Sequence, residues 1–430
     1  MGPGQRRAAL LLIAVISVNA SYTVLIPFVP DLEERVGAGP TVIALMFALF
    51  AATKTLFQPV GGWWVDRWDA KNVAFVSLLI AAAGIVVTAF AGDSATMLAG
   101  RALWGVGEGL VSPALYAGMA SLCRHYEIST SRMMGNFGSA AVAGFLLGPL
   151  IAGVATPLGL EALFVLGAAI TAATAFGLLK AIPAARPDPV AAEPEPTGSA
   201  GGPVADASAK PARSWWTWVL VLGGLDMFTA FIYSSLEPVL PLYLSTEQDS
   251  SARSAISVVF VAGLATSGLA MWVLGRYAER LRLVTMIRIG LALAGVGLAG
   301  ITINAGVLPV AACFVVFMGG YAALFLSARR GIVELKSAAG SQGKAFGVFG
   351  FISDVGNIVG PLVGVVLYET TGRMSFVLLG AMSGLLLAVL ALAAGRFPPG
   401  GRRGATAGPE LVPTANAVAG EAKDRRQPTP

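Results

Sequence analysis

Charge is scarce in this sequence. Only 12% of its 430 residues are Asp, Glu, Lys or Arg, where a soluble domain carries about 25%. With 56% hydrophobic residues and a mean hydropathy of +0.74, that shortage excludes an ordinary soluble protein and points to an integral membrane protein. Histidine is almost missing. The one histidine, His125, reads as a solvated loop residue, so no nucleophile has a histidine partner and no metal-ligand cluster is present. The only two cysteines, Cys123 and Cys313, lie in different halves of the chain and imply neither a disulfide framework nor a metal site. A nucleotide-binding glycine loop is also absent, which argues against ATP hydrolysis. No enzyme activity, cofactor or metal is expected. The net charge of +5 and pI near 9.3 are assigned to basic loops at one membrane face, not to nucleic-acid binding.

What the chain does have is long apolar runs. Stretches of about 20 residues, the length needed to cross a bilayer, recur near 8–29, 41–64, 73–92, 95–118, 135–157 and 161–181. Six more follow near 215–238, 253–275, 283–303, 307–328, 345–367 and 374–395. A stretch made basic by Arg6 and Arg7, Met1–Arg7, leads into the first run, which is too long for a signal-peptide core and reads as a retained span. The stretch 183–213, rich in Pro, Ala, Gly and Glu, reads as a disordered linker, and 397–430 as a tail of the same character. The expected units are therefore 1–182 and 214–396, joined by that linker.

Lys and Arg crowd one side of this topology. Arg6, Arg7, Arg67, Lys71, Arg124, Lys180, Arg276, Arg282, Arg329 and Arg330 share the side of both termini, whereas the other side has Arg35, Arg253 and Arg373. By the positive-inside rule the termini and linker are expected in the cytoplasm of a multi-pass protein of the cell inner (plasma) membrane.

The halves read as copies. Pro27-Phe28-Val29-Pro30 matches Pro238-Val239-Leu240-Pro241, 211 positions on. Gly62-x-x-x-Asp66-Arg67 matches Gly275-x-x-x-Glu279-Arg280, 213 positions on. Gly144-x-x-x-Gly148-Pro149-x-x-x-Gly153 matches Gly356-x-x-x-Gly360-Pro361-x-x-Gly364, 212 positions on. Such a constant offset implies two six-helix bundles related by a pseudo-two-fold axis along the membrane normal, with a substrate path between them.

The stretch Gly62-x-x-x-Asp66-Arg67-x-x-x-Lys71 reads as a short polar hinge between the second and third spans, with Gly62 allowing close backbone approach. It resembles the loop signature of the major facilitator superfamily of secondary transporters, with Asp69-Ala70 where the usual form has Gly-Arg. The resemblance implies an all-α integral membrane fold of 12 transmembrane helices in two pseudo-symmetric six-helix bundles. It also implies a chain functional as a monomer, with the lipid bilayer, protons and a small molecule as its partners. The Gly144–Gly153 run resembles the fifth-helix signature of proton-coupled exporters in this superfamily, ending Ala152-Gly153 in place of Gly-Gly. Packing alone is the plainer account of its twin at Gly356, Gly360 and Pro361. Arg101, seven residues before Glu108 in the fourth span, is similar to the superfamily's arginine associated with proton coupling. Yet Arg101-x6-Glu108-Gly109-x3-Pro113 also resembles the organic-anion/proton symporters.

Ionisable residues at membrane depth are expensive and mark function. Arg101 and Glu108 are expected on one helix face, where a carboxylate balanced between desolvation and a positive charge can load and release a proton. Asp226 and Glu237, eleven residues apart, are expected to share a face of the seventh span, Asp226 near mid-membrane and Glu237 near the outer end, as an outer-mouth gate residue or an interfacial carboxylate. Asp354, the fourth coupling candidate beside Glu108, Arg101 and Asp226, is expected to pair with a base such as Arg329. Lys54, between Thr53 and Thr55, is expected to face the central cavity and pair with Asp226 or Glu108. Asn19, Trp104, Phe228, Tyr233 and Tyr321 complete the candidate cavity, with helix packing the alternative for each. Efflux of a small amphipathic compound by proton antiport is the leading expectation. Proton-coupled uptake of an organic anion is the alternative, and a non-transporting receptor a third, which the buried charges disfavour.

Overall fold

The computed structural model describes residues 2–37, 39–128, 130–155, 158–183, 213–247, 252–277, 281–303, 306–334 and 342–392. All regular structure among them is helical: α1 (Pro3–Thr23), a 3-10 turn (Ile26–Phe28), α2 (Val29–Val36), α3 (Pro40–Arg67), α4 (Ala70–Ala89), α5 (Ser94–His125), α6 (Thr130–Val154) and α7 (Gly159–Ala181). Then follow α8 (Arg213–Glu247), α9 (Ala252–Tyr277), α10 (Leu283–Ile303), α11 (Val307–Glu334), α12 (Gln342–Thr371) and α13 (Met374–Leu392). The predicted tail, and the predicted linker apart from its end residues, lie outside the described residues, as do Glu279 and Arg280.

In hydrocarbon every backbone group must be bonded within the chain, so the apolar runs have no choice but helix. α1, its 3-10 turn and α2 form one broken span, giving twelve with α3 to α13. Ten of these are long and apolar enough to cross a membrane on their own. The other two are α5, which carries Arg101 and Glu108, and α13, whose apolar described part is Met374–Leu390. Large side chains such as Leu56, Val154, Ile303 and Leu308 are exposed on the outside of the helices, the surface a lipid-embedded protein presents.

The proline motifs of the two halves behave differently. Pro27 sits in the 3-10 turn and Pro30 at the start of α2, so the first span breaks there. Pro238 and Pro241 lie inside the continuous α8. Two other boundaries differ from expectation. α3 runs on to Arg67, so Gly62, Asp66 and Arg67 of the expected hinge are helical and only Trp68 and Asp69 separate α3 from α4. α5 extends to His125, which ends the helix with its ring 4.6 Å from Tyr126. At its other end Asp93 accepts hydrogen bonds from the Thr96 amide (2.9 Å) and hydroxyl (2.8 Å), which hold its carboxyl below the usual range.

The chain folds as two like-built bundles. In the first, α1 packs on α6 and α5 on both α3 and α4; in the second, α8 packs on α12 and α11 on both α9 and α10. α4 against α7 has its counterpart in α10 against α13. The bundles meet along two seams, α3 with α12 and α6 with α9. These seams exchange under the two-fold, since α3 corresponds to α9 and α6 to α12.

Glycine sets the helix spacing. A Cβ on Gly144 would come 2.6 Å from the Ile16 carbonyl oxygen, and one on Gly148 2.6 Å from the Val24 nitrogen, so α6 lies backbone to backbone on α1. Gly356 and Gly360 seat α12 on α8 in the same way, near Phe231 and Ser235. Side-chain hydroxyls tighten both seats: Thr23 donates to the Phe145 carbonyl at 3.0 Å, and Ser235 to that of Gly360 at 2.8 Å. Packing is thus the structural role of both glycine runs, with Pro149 and Pro361 inside their helices. Gly153 instead faces Ser257 of α9, across a seam between the bundles. At Gly62 and Gly275 nothing lies within 4 Å of the Cβ position, so the expected close approach at Gly62 is corrected: Gly61 makes it, against Leu110.

Candidate functional site

Three glycines deliver α5 to the centre of the first bundle. A Cβ on Gly105 would meet the Phe50 carbonyl oxygen at 2.5 Å, one on Gly107 the Ala81 Cα at 2.7 Å, and one on Gly109 the Phe57 Cβ at 3.0 Å. α5 therefore lies directly on α3 and α4, and its positions 101, 104 and 108 share one face by helical spacing.

Arg101 is fully buried. Its guanidinium carbon lies 4.4 Å from the Phe50 ring centroid and 4.7 Å from that of Trp104, with Tyr22 and Phe47 at 5.6 and 5.7 Å. Nε donates to the Met46 carbonyl at 3.3 Å, while both Nη atoms are buried with no hydrogen-bond partner. Aromatic faces supply cation–π attraction, but unmet donors in such a site are costly. Arg101 and Glu108 share a face as expected, yet the positive charge at Glu108 comes from elsewhere. Lys54 of α3 donates to Glu108 Oε2 at 3.0 Å, and Trp104 Nε1 donates to Oε1 at 3.2 Å. Trp104 thus stands between Arg101 and Glu108, touching both.

Of Lys54's two expected partners the structure selects Glu108. The Lys54 side chain keeps 35% exposure although it lies mid-helix, and Glu108, Asp354 and Glu237 all act on its charge. Asp354 of α12 interacts with Asn357 and, across the seam, with Thr55. Its expected partner Arg329 is engaged elsewhere: Arg329 donates to Asp226 Oδ1 at 2.6 Å. Arg329 also lies 3.4 Å from the Phe325 ring centroid and remains 42% exposed. Asp226 is buried, and its Oδ2 has no partner. Tyr233 and Tyr321 pack together with centroids 5.0 Å apart, and Tyr321 contacts Phe325 at 5.8 Å. Phe228 packs against the buried cores on either side of it. Asn19 donates to the Val15 carbonyl at 2.8 Å and its Cβ faces Gly144, so it belongs to the α1–α6 seat.

Glu237 is buried, not an interfacial carboxylate at the helix end. Tyr22 of α1 donates to its Oε2 at 2.7 Å, a bond that joins the two bundles. Tyr22 also stacks on Phe50, centroids 4.9 Å apart. Tyr22 was not picked out from the sequence, although the 211-residue offset of the proline motifs places it opposite Tyr233, which was. Two further missed residues are Asp31 and Arg253. They form an ion pair between the bundles, at the face distal to the chain's start, and Arg253 lies 4.5 Å from the Phe28 ring centroid. Nearby, Thr41 donates to Glu369 at 3.4 Å. At the proximal face Asp66 and Arg67 are exposed, Arg67 lies 4.0 Å from the Trp63 centroid, and Lys71 pairs with Asp69 at 3.7 Å. In this conformation the described cross-bundle polar contacts sit at the distal face and mid-membrane.

An exposed ion pair contributes about 0.2–1 kcal/mol, enough to shift a two-state equilibrium up to roughly fivefold. Asp31→Asn is therefore expected to raise the rate at which an impermeant maleimide labels Ser257→Cys, one turn after Arg253 and buried against Gly153 across the seam, by roughly two- to fivefold in a Cys123→Ser/Cys313→Ser background. An unchanged rate means the pair does not hold the distal face closed.

The sequence model of the Major Facilitator Superfamily matches residues 11–302 and 225–426, two overlapping stretches that span almost the whole chain. The chain belongs to the major facilitator superfamily. Multidrug resistance protein 2 of Bacillus subtilis (strain 168) is 22% identical over 362 residues, covering 83% of this chain and 87% of that protein. The class D tetracycline resistance protein of Salmonella ordonez is 26% identical over 367 residues, covering 81% and 86%. The crystal structure of the nucleoside transporter NupG superposes with a TM-score of 0.71 at 14% identity, over 93% of this chain and all of that one. That of the human organic anion transporter MFSD10 superposes with a TM-score of 0.64 at 21% identity, over 91% and 100%. The superfamily fold is thus established: twelve membrane helices in two pseudo-symmetric six-helix bundles.

Proposed function

We propose that this transporter exports a small amphipathic compound in exchange for protons, by rocking its bundles about the site between α3, α5, α8 and α12. The observation that carries the reading is the Lys54–Glu108 pair: a buried carboxylate whose counter-charge sits on another helix and stays partly exposed. A proton and a cationic substrate compete for the one Glu108 carboxylate, each displacing the Lys54 ammonium from it, and that mutual exclusion is what antiport needs. Asp226 and Asp354 are the other proton-coupling candidates, and Arg101, with two unmet nitrogens, is a fixed charge that acts on Glu108 and Glu237. The relatives named for multidrug and tetracycline resistance support export.

In this reading the distal face is extracellular and closed, held by Tyr22–Glu237 and Asp31–Arg253, and the cavity opens to the cytoplasm. The exposed Asp66 and Arg67 are free in this state to latch the proximal face in the opposite one. The positive-inside bias supports this orientation, with both termini cytoplasmic in the inner membrane. A single chain contains both bundles and the whole path, so a monomer suffices.

A second reading is proton-coupled uptake of an organic anion. It is favoured by the exposed parts of Lys54 and Arg329, and one structural neighbour is an organic anion transporter. Purified protein in liposomes with a trapped pH dye separates the two. Pools of lipophilic cations, then of organic acids, are added outside, with protein-free liposomes as the blank. Internal alkalinisation means protons leave as substrate enters and supports antiport. Internal acidification means that they enter together, and the symport reading replaces it.

A further inference from the structure

Three bases at the proximal ends of α1 and α7 lie outside the transport site. Arg6, Arg7 and Lys180 line an open pocket of about 540 Å³ together with Pro3 and Leu10. No acid lines it, and none of the described ion pairs involves these three bases. Arg7 is steadied by the Tyr126 ring, 5.7 Å away. Below the bases the surface turns apolar. Leu10 and Ile13 follow Arg6 at helical spacing on α1, and Phe176 precedes Lys180 by one turn on α7; all three are exposed. Gly177, whose Cβ position is 3.9 Å from the end of Leu10, leaves a crevice between the two helices.

We propose that this pocket holds the phosphate headgroup of an anionic phospholipid, with its acyl chains running down Leu10, Ile13 and Phe176. The argument is the combination. Three uncompensated positive charges at the end of two membrane helices suit a phosphate, and the apolar track continuing from them suits a chain-bearing ligand. A free phosphate compound shares the first feature and has no use for the second. A lipid seated here ties the proximal end of α1 to α7 and so steadies the helix that carries Tyr22.

The test is a melting curve of the full-length protein in a neutral detergent, titrated with short-chain phosphatidylglycerol, phosphatidylcholine of the same chains, or inorganic phosphate. Phosphatidylglycerol is expected to raise the melting temperature saturably, and the other two are not. With each base contributing roughly a fivefold gain in affinity, Arg6→Gln/Arg7→Gln/Lys180→Gln should weaken the apparent affinity about a hundredfold. Arg124→Gln/Arg282→Gln, which removes charge elsewhere on the same face, should leave it unchanged. A triple variant that still responds like the wild type overturns the site. So does a control variant that loses as much as the triple, since the effect is then unspecific surface charge. An equal response to inorganic phosphate overturns the lipid assignment. Melting with lipid needs no transport, so these outcomes stand apart from those of the liposome assay.

Discussion

Glu108→Gln is expected to reduce gradient-driven transport to the level of protein-free liposomes while sparing substrate-for-substrate exchange. The amide keeps the shape of the side chain, and its oxygen still accepts from Lys54 or from Trp104 Nε1, which donate at 3.0 and 3.2 Å in the native site. What is lost is the negative charge and the ability to take up a proton. Lys54, partly exposed but mid-helix, is then left without its carboxylate, and an unpaired charge at membrane depth is costly. Lys54→Met/Glu108→Gln removes both charges and should melt closer to the wild type than Glu108→Gln alone, without regaining gradient-driven transport. The measurement is accumulation under an imposed pH gradient beside exchange at equal pH. Normal accumulation by Glu108→Gln transfers the proton to another acid, Asp226 or Asp354 first.

Gly148→Val is expected to lose most of its folded protein, whereas Gly62→Ala should melt at or slightly above the wild type. The new Cβ at 148 meets the Val24 nitrogen at 2.6 Å and the Ala20 carbonyl oxygen at 2.7 Å. Both are backbone atoms, of α1 and of the residue that caps it, and cannot rotate away, so the helices must separate along the seat that Thr23 also bonds. Overpacking of a tight core costs about 1–3 kcal/mol even where side chains yield, a large share of a total stability of about 5–15 kcal/mol. At 62 the space is open, and Ala is the better helix former by about 1 kcal/mol. Size-exclusion profiles and melting curves of the two variants decide this. A folded, wild-type-like Gly148→Val would show that the α1–α6 seat is looser than its geometry. If Gly62→Ala melts normally but fails to transport, its glycine serves a conformation other than this one.

The two glycines show where sequence reading reached its limit. Both lie in recognisable motifs, and a motif reports that a position is restricted without saying which neighbour restricts it. Gly148 presses on α1 of its own bundle, Gly153 on α9 of the other, and Gly62 on nothing within reach. Only helices distant in sequence and brought together decide which is which. The same holds for charge partners. Spacing along one helix placed Arg101 and Glu108 on a common face, and they do share it. Yet the hydrogen bonds to Glu108 come from Trp104, at helical spacing, and from Lys54, 54 positions away. Arg329 was the expected partner of Asp354, and it pairs with Asp226.

By itself the sequence determined the class of the molecule. Its apolar runs can satisfy their backbones only as helices in lipid, and its constant offset near 211–213 residues can arise only from two like bundles. It also identified the buried ionisable residues, because a charge inside an apolar run is conspicuous without coordinates. The tertiary structure alone decided how those charges combine, which bundle each partner comes from, and that Tyr22 and Glu237 join the halves. A pair interaction depends on a distance between helices, and that distance is set by the glycine seats of the whole fold, not by any local run of residues.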